Sequence, residues 1–228
     1  MKEKESAPVD LCLEVLRRLD RAGVLEELVL VGSWCTHFYN RYFEGKAKLS
    51  ALRTRDMDFL VRRPPRFKVK VEVSTLLKDL GFLPDLRPEG YVSLSHPDLI
   101  IDFLIAERGK GSEMAIPIEA LGIRAQPLRF LDFLTRDTIV VSIDGLDLQL
   151  PHPANFALHK LIISSRRPKP EKREKDLRQA LEILDVLRDL GRGEEILSKF
   201  ADMPAGWRKI AITVLNDADR HDISRFLQ

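Results

Sequence analysis

Apolar residues recur with two different periods along the chain, and the place where the period changes divides it. Leu11, Val15, Leu16 and Leu19 at helical spacing predict an amphipathic helix from about Pro8 to Ala22, with Arg17, Arg18 and Arg21 on its polar side and Gly23 as its stop. Leu28-Val29-Leu30-Val31 is a short apolar run, read as a buried strand that ends at Gly32-Ser33, and a helix from Trp34 to about Phe43 follows. Glu44 to Arg53 is a polar loop carrying Lys46, Lys48 and Arg53. Thr54 to Val61 predicts a second strand, stopped by Pro64-Pro65. Val69, Val73, Leu76, Leu77 and Leu80 predict a helix over 67–80, closed by Gly81. Strands are expected at Tyr91 to Leu94 and Leu99 to Ile105, on either side of the turn His96-Pro97-Asp98. A short helix is expected around Leu128 to Leu134. Beyond it, Thr138 to Ile143 and Leu146 to Leu150 read as a hairpin across Asp144-Gly145.

Pro151-His152-Pro153 ends the β pattern and opens a helix. From there the pattern is almost wholly helical: 154–164, 171–190, and shorter segments over 194–227. The pattern therefore predicts an α/β (α+β) domain over residues 1–150 and a helical C-terminal domain over 151–228.

Composition narrows the class. Of 228 residues, 44% are hydrophobic, enough for a core, and 32% are charged. The net charge of +2 gives no global bias, so affinity for nucleic acid has to come from local patches. Cys12 and Cys35 form no CxxC pair, which suits a reduced, intracellular protein. The charged start Met1-Lys2-Glu3-Lys4-Glu5 has no apolar signal core, and no uncharged run approaches the roughly 20 residues of a membrane helix. A soluble cytoplasmic protein is expected.

Three acidic positions stand out. In a strand, Asp56 and Asp58 point to one side, roughly 7 Å apart at Cα for a rise of about 3.3 Å per residue. Either a divalent cation compensates them or the acidic face is simply solvated. Asp102 sits in the apolar run Ile100 to Leu104, where a carboxylate is costly unless compensated or turned to water at a sheet edge. The Gly32-Ser33 turn between strand and helix is either a phosphate-binding turn or an ordinary connection. Arg166, Arg167, Lys169, Lys172, Arg173 and Lys175 form the densest basic stretch, suited to a triphosphate or RNA backbone or to solvated i,i+4 pairs. Gly109-Lys110-Gly111-Ser112 is a lid or a surface excursion. The histidines lack zinc-type spacing, and neither a GxxxxGK loop nor a serine or cysteine nucleophile motif is present.

As a set, Leu28 to Val31, Gly32-Ser33, Asp56 with Asp58, and Asp102 resemble the nucleotidyltransferase superfamily of the polymerase-β type. The resemblance covers roughly Val29 to Ile105, with an interval from Ser33 to Asp56 that is longer than the family's usual spacing. The segments Asn155 to Leu161 and Lys172 to Leu177 are similar to uncharacterised bacterial nucleotidyltransferase-fold proteins and to AbiEii-type toxins. The resemblance implies a mixed-sheet nucleotidyltransferase domain, a helical C-terminal domain and a nucleotide cleft between them. It implies an NTP substrate and two Mg2+ ions held by Asp56, Asp58 and Asp102, with Asp102 also placed to take the acceptor's proton. Gly32 and Ser33 would hold the β and γ phosphates, Lys160 and Lys175 would contact phosphates, and Asp176 would orient one of the lysines. His159 beside Lys160 is a ligand contact or a packed helix residue. The implied reaction is transfer of an NMP to a hydroxyl of tRNA, a protein or a small molecule. Two other readings stay open: a non-catalytic module with an antitoxin or other partner protein, and a nucleic-acid-binding adaptor that uses the basic helix.

Overall fold

The computed structural model describes residues 3–47, 49–50, 54–107 and 114–228. The Gly109 to Ser112 loop, Lys48 and Arg53 lie outside the described residues. Contacts group the chain into two compact units, Met1–Phe38 with Leu52–Pro151, and Tyr39–Ala51 with His152–Gln228.

The first unit is built on a mixed sheet. Strand β1 (Leu28–Val31) pairs antiparallel with β2 (Asp56–Val61), which pairs parallel with β5 (Ile100–Ala106). On the far side of β5 lie β4 (Val92–Ser95) and then β3 (Leu83–Leu86), both antiparallel. Strand β7 (Ile123–Leu128) runs parallel to the end of β5 and pairs with β6 (Ile116–Ile118). A separate hairpin joins β8 (Thr138–Ile143) to β9 (Leu146–Pro151). Both turn residues have positive φ, Asp144 at 50° and Gly145 at 82°, as a two-residue turn matched to strand twist requires.

Period-2 alternation gives the central strands two apolar faces. Met57, Phe59, Ile101 and Phe103 are fully buried on one, where the Phe59 and Phe103 rings stack at 5.8 Å. Truncating either to alanine would cost about 3–5 kcal/mol. The other face carries a buried cluster of Val29, Val31, Leu60, Leu104 and Ala106 with Leu131 and Leu134, the last from the short helix α4 (Asp132–Thr135). Helix α1 (Glu3–Arg21) buries Leu16 and Leu19, and Gly23 takes φ +70° just beyond its end.

The helix expected over 67–80 is much shorter. Only α3 (Val73–Leu76) and a 3₁₀ turn (Lys78–Leu80) form, because the Val71 N–H is taken by the Ala120 carbonyl at 2.8 Å. The β-branched Val69, Val71 and Val73 do little to favour helix there. Strand β3 escaped the pattern because Pro84 interrupts it, a residue tolerated at a sheet edge.

In the second unit, α5 (Pro153–Ser164) is buried around almost its whole circumference and packs against α6 (Pro170–Asp189). His152 caps α5: its Nδ1 accepts the Ala154 N–H at 3.2 Å, and its Nε2 lies 2.9 Å from Glu195. Helices α7 (Gly193–Ala201), α8 (Ala205–Asp217) and α9 (His221–Phe226) complete the unit. Helix α2 (Trp34–Tyr42) crosses the division. Its last turn belongs with the helices, since Tyr39 packs edge-on to Phe156 at 5.6 Å and Arg192 bonds the Tyr42 hydroxyl at 2.6 Å. Among the described residues no helix is long and apolar enough to cross a membrane.

Candidate active site

Strand register brings the acidic side chains of the first unit to one face. Asp58 is the direct partner of Asp102 across the parallel β2–β5 pair, and Asp56 is that of Ile100. Partners in register share a face, so all three aspartates lie on the side of the Leu60 and Leu104 cluster. Asp56 is exposed, and Asp58 and Asp102 are half-buried. The carboxylates thus stand at the accessible end of a surface that becomes apolar two residues further along each strand.

Asp58 is also tied to the turn after β1, through its partner Val31. Gly32 has φ +74°, and a β-carbon there would overlap the Asp58 oxygen Oδ2. Only glycine satisfies both the turn and the close approach. Beyond it, the Ser33 carbonyl accepts the Thr36 hydroxyl at 2.8 Å and the Gly32 carbonyl accepts the Cys35 N–H at 3.2 Å, which starts α2.

Asp102 is held from the opposite side. The fully buried Ser93 hydroxyl donates to its Oδ1, and Arg87 Nε donates to that hydroxyl at 2.9 Å. Burial pushes the Asp102 carboxyl above its ordinary value; the Ser93 bond and the Arg87 charge pull it back, while Asp56 and Asp85 add to the rise.

The donor set is that of a hard divalent cation: carboxylate oxygens on one face beside a turn that excludes a side chain. Among the described residues, however, no three His, Cys, Asp or Glu side chains are gathered closely enough to hold a metal ion. Asp58 lies against the Gly32 turn and one Asp102 oxygen accepts from Ser93 on β4; the donor chemistry and the shared face fit the ion, and the three carboxylates are not drawn around one point.

The second unit holds the other residues singled out from the sequence. Lys160, 5% exposed on α5, places Nζ 2.5 Å from Asp176 Oδ1, and Arg167 Nε lies 2.7 Å from Oδ2. Burial alone would raise the Asp176 pKa, but Lys160 and then Arg167 outweigh it and hold the carboxyl below its usual range. Lys175 is half-buried, one residue before Asp176. His159 is packed, with no partner for Nε2 among the described residues, and burial followed by the Lys160 charge pushes its pKa down to about 3. It is a neutral imidazole at physiological pH. Lys169, Lys172 and Arg173 remain exposed.

Sequence reasoning did not single out Ser93 or Arg87, and it placed Arg167 in the basic stretch without its tie to Asp176. The turn signal Arg87-Pro88-Glu89-Gly90 was the available clue, since it folds β3 back on β4 and returns Arg87 to Ser93.

A family model described as nucleotidyltransferase matches residues 11–198, which include every one of these positions. The chain belongs to the nucleotidyltransferase family. It is an enzyme of that class, and its mixed α/β architecture agrees with the family's. An antigenic nucleotidyltransferase-like protein from Paracoccidioides brasiliensis is similar in structure, with a TM-score of 0.51 at 12% identity over 95% of this chain and 91% of that one. The antibiotic-resistance factor ANT(2'')-Ia is similar with a TM-score of 0.41 at 16% identity, over 86% of this chain and 95% of that one. At 12% identity the first of these likenesses concerns the fold alone. No curated protein sequence matches this nucleotidyltransferase.

Proposed function

We propose that this nucleotidyltransferase moves an NMP from an NTP to a hydroxyl acceptor in a magnesium-dependent reaction. The observation that carries the reading is the in-register pairing of Asp58 with Asp102, with Asp58 laid against the Gly32 turn. Asp56, Asp58 and Asp102 are the residues to hold Mg2+, two ions being what the family resemblance implies. When bound, magnesium would neutralise phosphate charge and acidify the acceptor hydroxyl. Asp102 would take the proton of that hydroxyl, a role that suits a carboxyl whose pKa burial pushes upward. The N–H groups of the Gly32 turn and the Ser33 hydroxyl would bind the β and γ phosphates at the start of α2. Lys160 and Lys175 would offset charge on the departing pyrophosphate, with Asp176 fixing the Lys160 ammonium through the 2.5 Å ion pair.

The exposed Lys169, Lys172 and Arg173 favour a polyanionic acceptor such as tRNA, and hence a cytoplasmic setting. The deciding experiment incubates the protein with labelled NTPs, Mg2+ and total cellular RNA or protein. Label should appear on an acceptor and disappear with Asp56→Ala plus Asp58→Ala. A folded protein that labels nothing would instead fit the binding module of a toxin–antitoxin or defence pair. Salt-sensitive RNA binding that survives loss of both aspartates would fit an adaptor.

A further inference from the structure

Register places Ser93 beside Asp102: Leu94 partners Ile101 and Ser95 partners Ile100, so one step further along the antiparallel pair Ser93 stands opposite Asp102. Its hydroxyl is fully buried and has two partners among the described residues. One is Arg87 Nε, and a guanidinium can only donate. The Ser93 proton is therefore left for Asp102, and the direction of the chain Arg87 to Ser93 to Asp102 is fixed by chemistry. Arg87 is in turn anchored at both ends. Its backbone N–H bonds the Tyr91 carbonyl at 2.9 Å and its Nη1 lies 3.1 Å from Asp85. Asp85 is itself the strand partner of Ser93.

We propose that Ser93 and Arg87 are positioning residues: together they fix the Asp102 side chain by one oxygen, Oδ1, and leave the other for the cation. This rests on the reading of Asp102 as a metal ligand given above. Hydrogen-bonded partners of ligating carboxylates have a characteristic effect, since their loss lowers metal affinity roughly 10- to 100-fold. An unheld Asp102 would also be free to adopt rotamers that point its second oxygen elsewhere.

The test titrates Mn2+ alone into the full-length protein and follows free Mn2+ by electron paramagnetic resonance. Asp102→Ala, Ser93→Ala, Ser93→Thr and Arg87→Gln are compared with the wild type, with folding checked by circular dichroism. Ser93→Ala should weaken binding by about tenfold or more, and Ser93→Thr, which keeps the hydroxyl, should restore it. Arg87 is partly exposed, so Arg87→Gln tests the same chain without emptying a core position, and should weaken binding in the same direction. Wild-type affinity in both Ser93→Ala and Arg87→Gln, where Asp102→Ala is impaired, overturns this proposal and leaves the metal site standing. No Mn2+ binding by the wild type, or none lost in Asp102→Ala, overturns the metal site and this proposal with it.

Discussion

The carboxylate of Asp58 lies against the α-carbon of Gly32, where a side chain of any size would collide with it. The turn after the first strand and the second acidic position are thus one structural feature, although they lie 26 positions apart in sequence.

Gly32→Ala should therefore fail twice. The φ of +74° costs an alanine about 1–2 kcal/mol, and the added methyl group displaces the carboxylate. Urea unfolding should show a loss of that order, while Mn2+ affinity falls further than the lost stability explains. Gly45 also has positive φ, at 71°, but no described residue comes near its missing β-carbon, so Gly45→Ala is the control for strain alone. If both variants bound Mn2+ equally well, the close approach at Gly32 would have no bearing on the site.

Asp102 offers a trade between stability and function. Its pKa is raised in the fold, chiefly by burial, so the folded chain holds this proton to higher pH than the unfolded chain does. The sign follows: the resulting destabilisation is absent at pH values below the ordinary carboxyl pKa of 3.8 and appears as pH rises through the folded value. Asp102→Asn should accordingly melt higher than the wild type at pH 7 in metal-free buffer and lose the advantage near pH 3, while nucleotidyl transfer is abolished. Equal melting temperatures at pH 7 would show that Ser93 and Arg87 compensate the buried charge completely.

The sequence made some of this legible and hid the rest for physical reasons. The runs Leu28 to Val31 and Asp56 to Val61 announce themselves because all of β1 and the second half of β2 are buried on both faces, which leaves few polar interruptions. The hairpin at Asp144-Gly145 was readable because its turn demands those residue types. Strand β3 was hidden because an edge strand tolerates Pro84 and exposes Leu83 and Leu86. The helix over 67–80 was over-read because apolar spacing is blind to the Val71 bond to Ala120. That Asp58 and Asp102 share a face depends on β2 and β5 being parallel and in register, which no local pattern encodes.

Asp176 is clamped by two cations while 3% exposed, and a buried ion pair is judged by what breaking it does. Removing one partner strands the other charge at a cost of about 3–5 kcal/mol, whereas replacing the pair by apolar residues of similar volume is often neutral. Lys160→Met should therefore be strongly destabilising, and Lys160→Met with Asp176→Leu should recover most of the loss. Denaturant titration of the four-member cycle measures the coupling. A double variant as unstable as the sum of the singles would mean that the two side chains act independently.

His159, one residue before Lys160, gives the fold a separate acid sensitivity. Its pKa falls from an ordinary 6.5 to about 3 because the buried ring resists charging beside Lys160. In the unfolded chain the same ring takes up a proton near pH 6.5, so the unfolded state binds more protons between the two values. Stability is then complete above pH 6.5 and declines as pH falls towards 3. Asp176 acts in the same direction but lower, since its depressed pKa costs stability only below its ordinary 3.8. His159→Phe should flatten the stability profile between pH 6.5 and 4 and leave the fall below pH 4 in place. Asp176→Asn should do the reverse, starting from a lower stability at neutral pH. Unfolding free energies at half-unit pH intervals separate the two, and a His159→Phe profile parallel to the wild type would show that this imidazole is already charged in the native state.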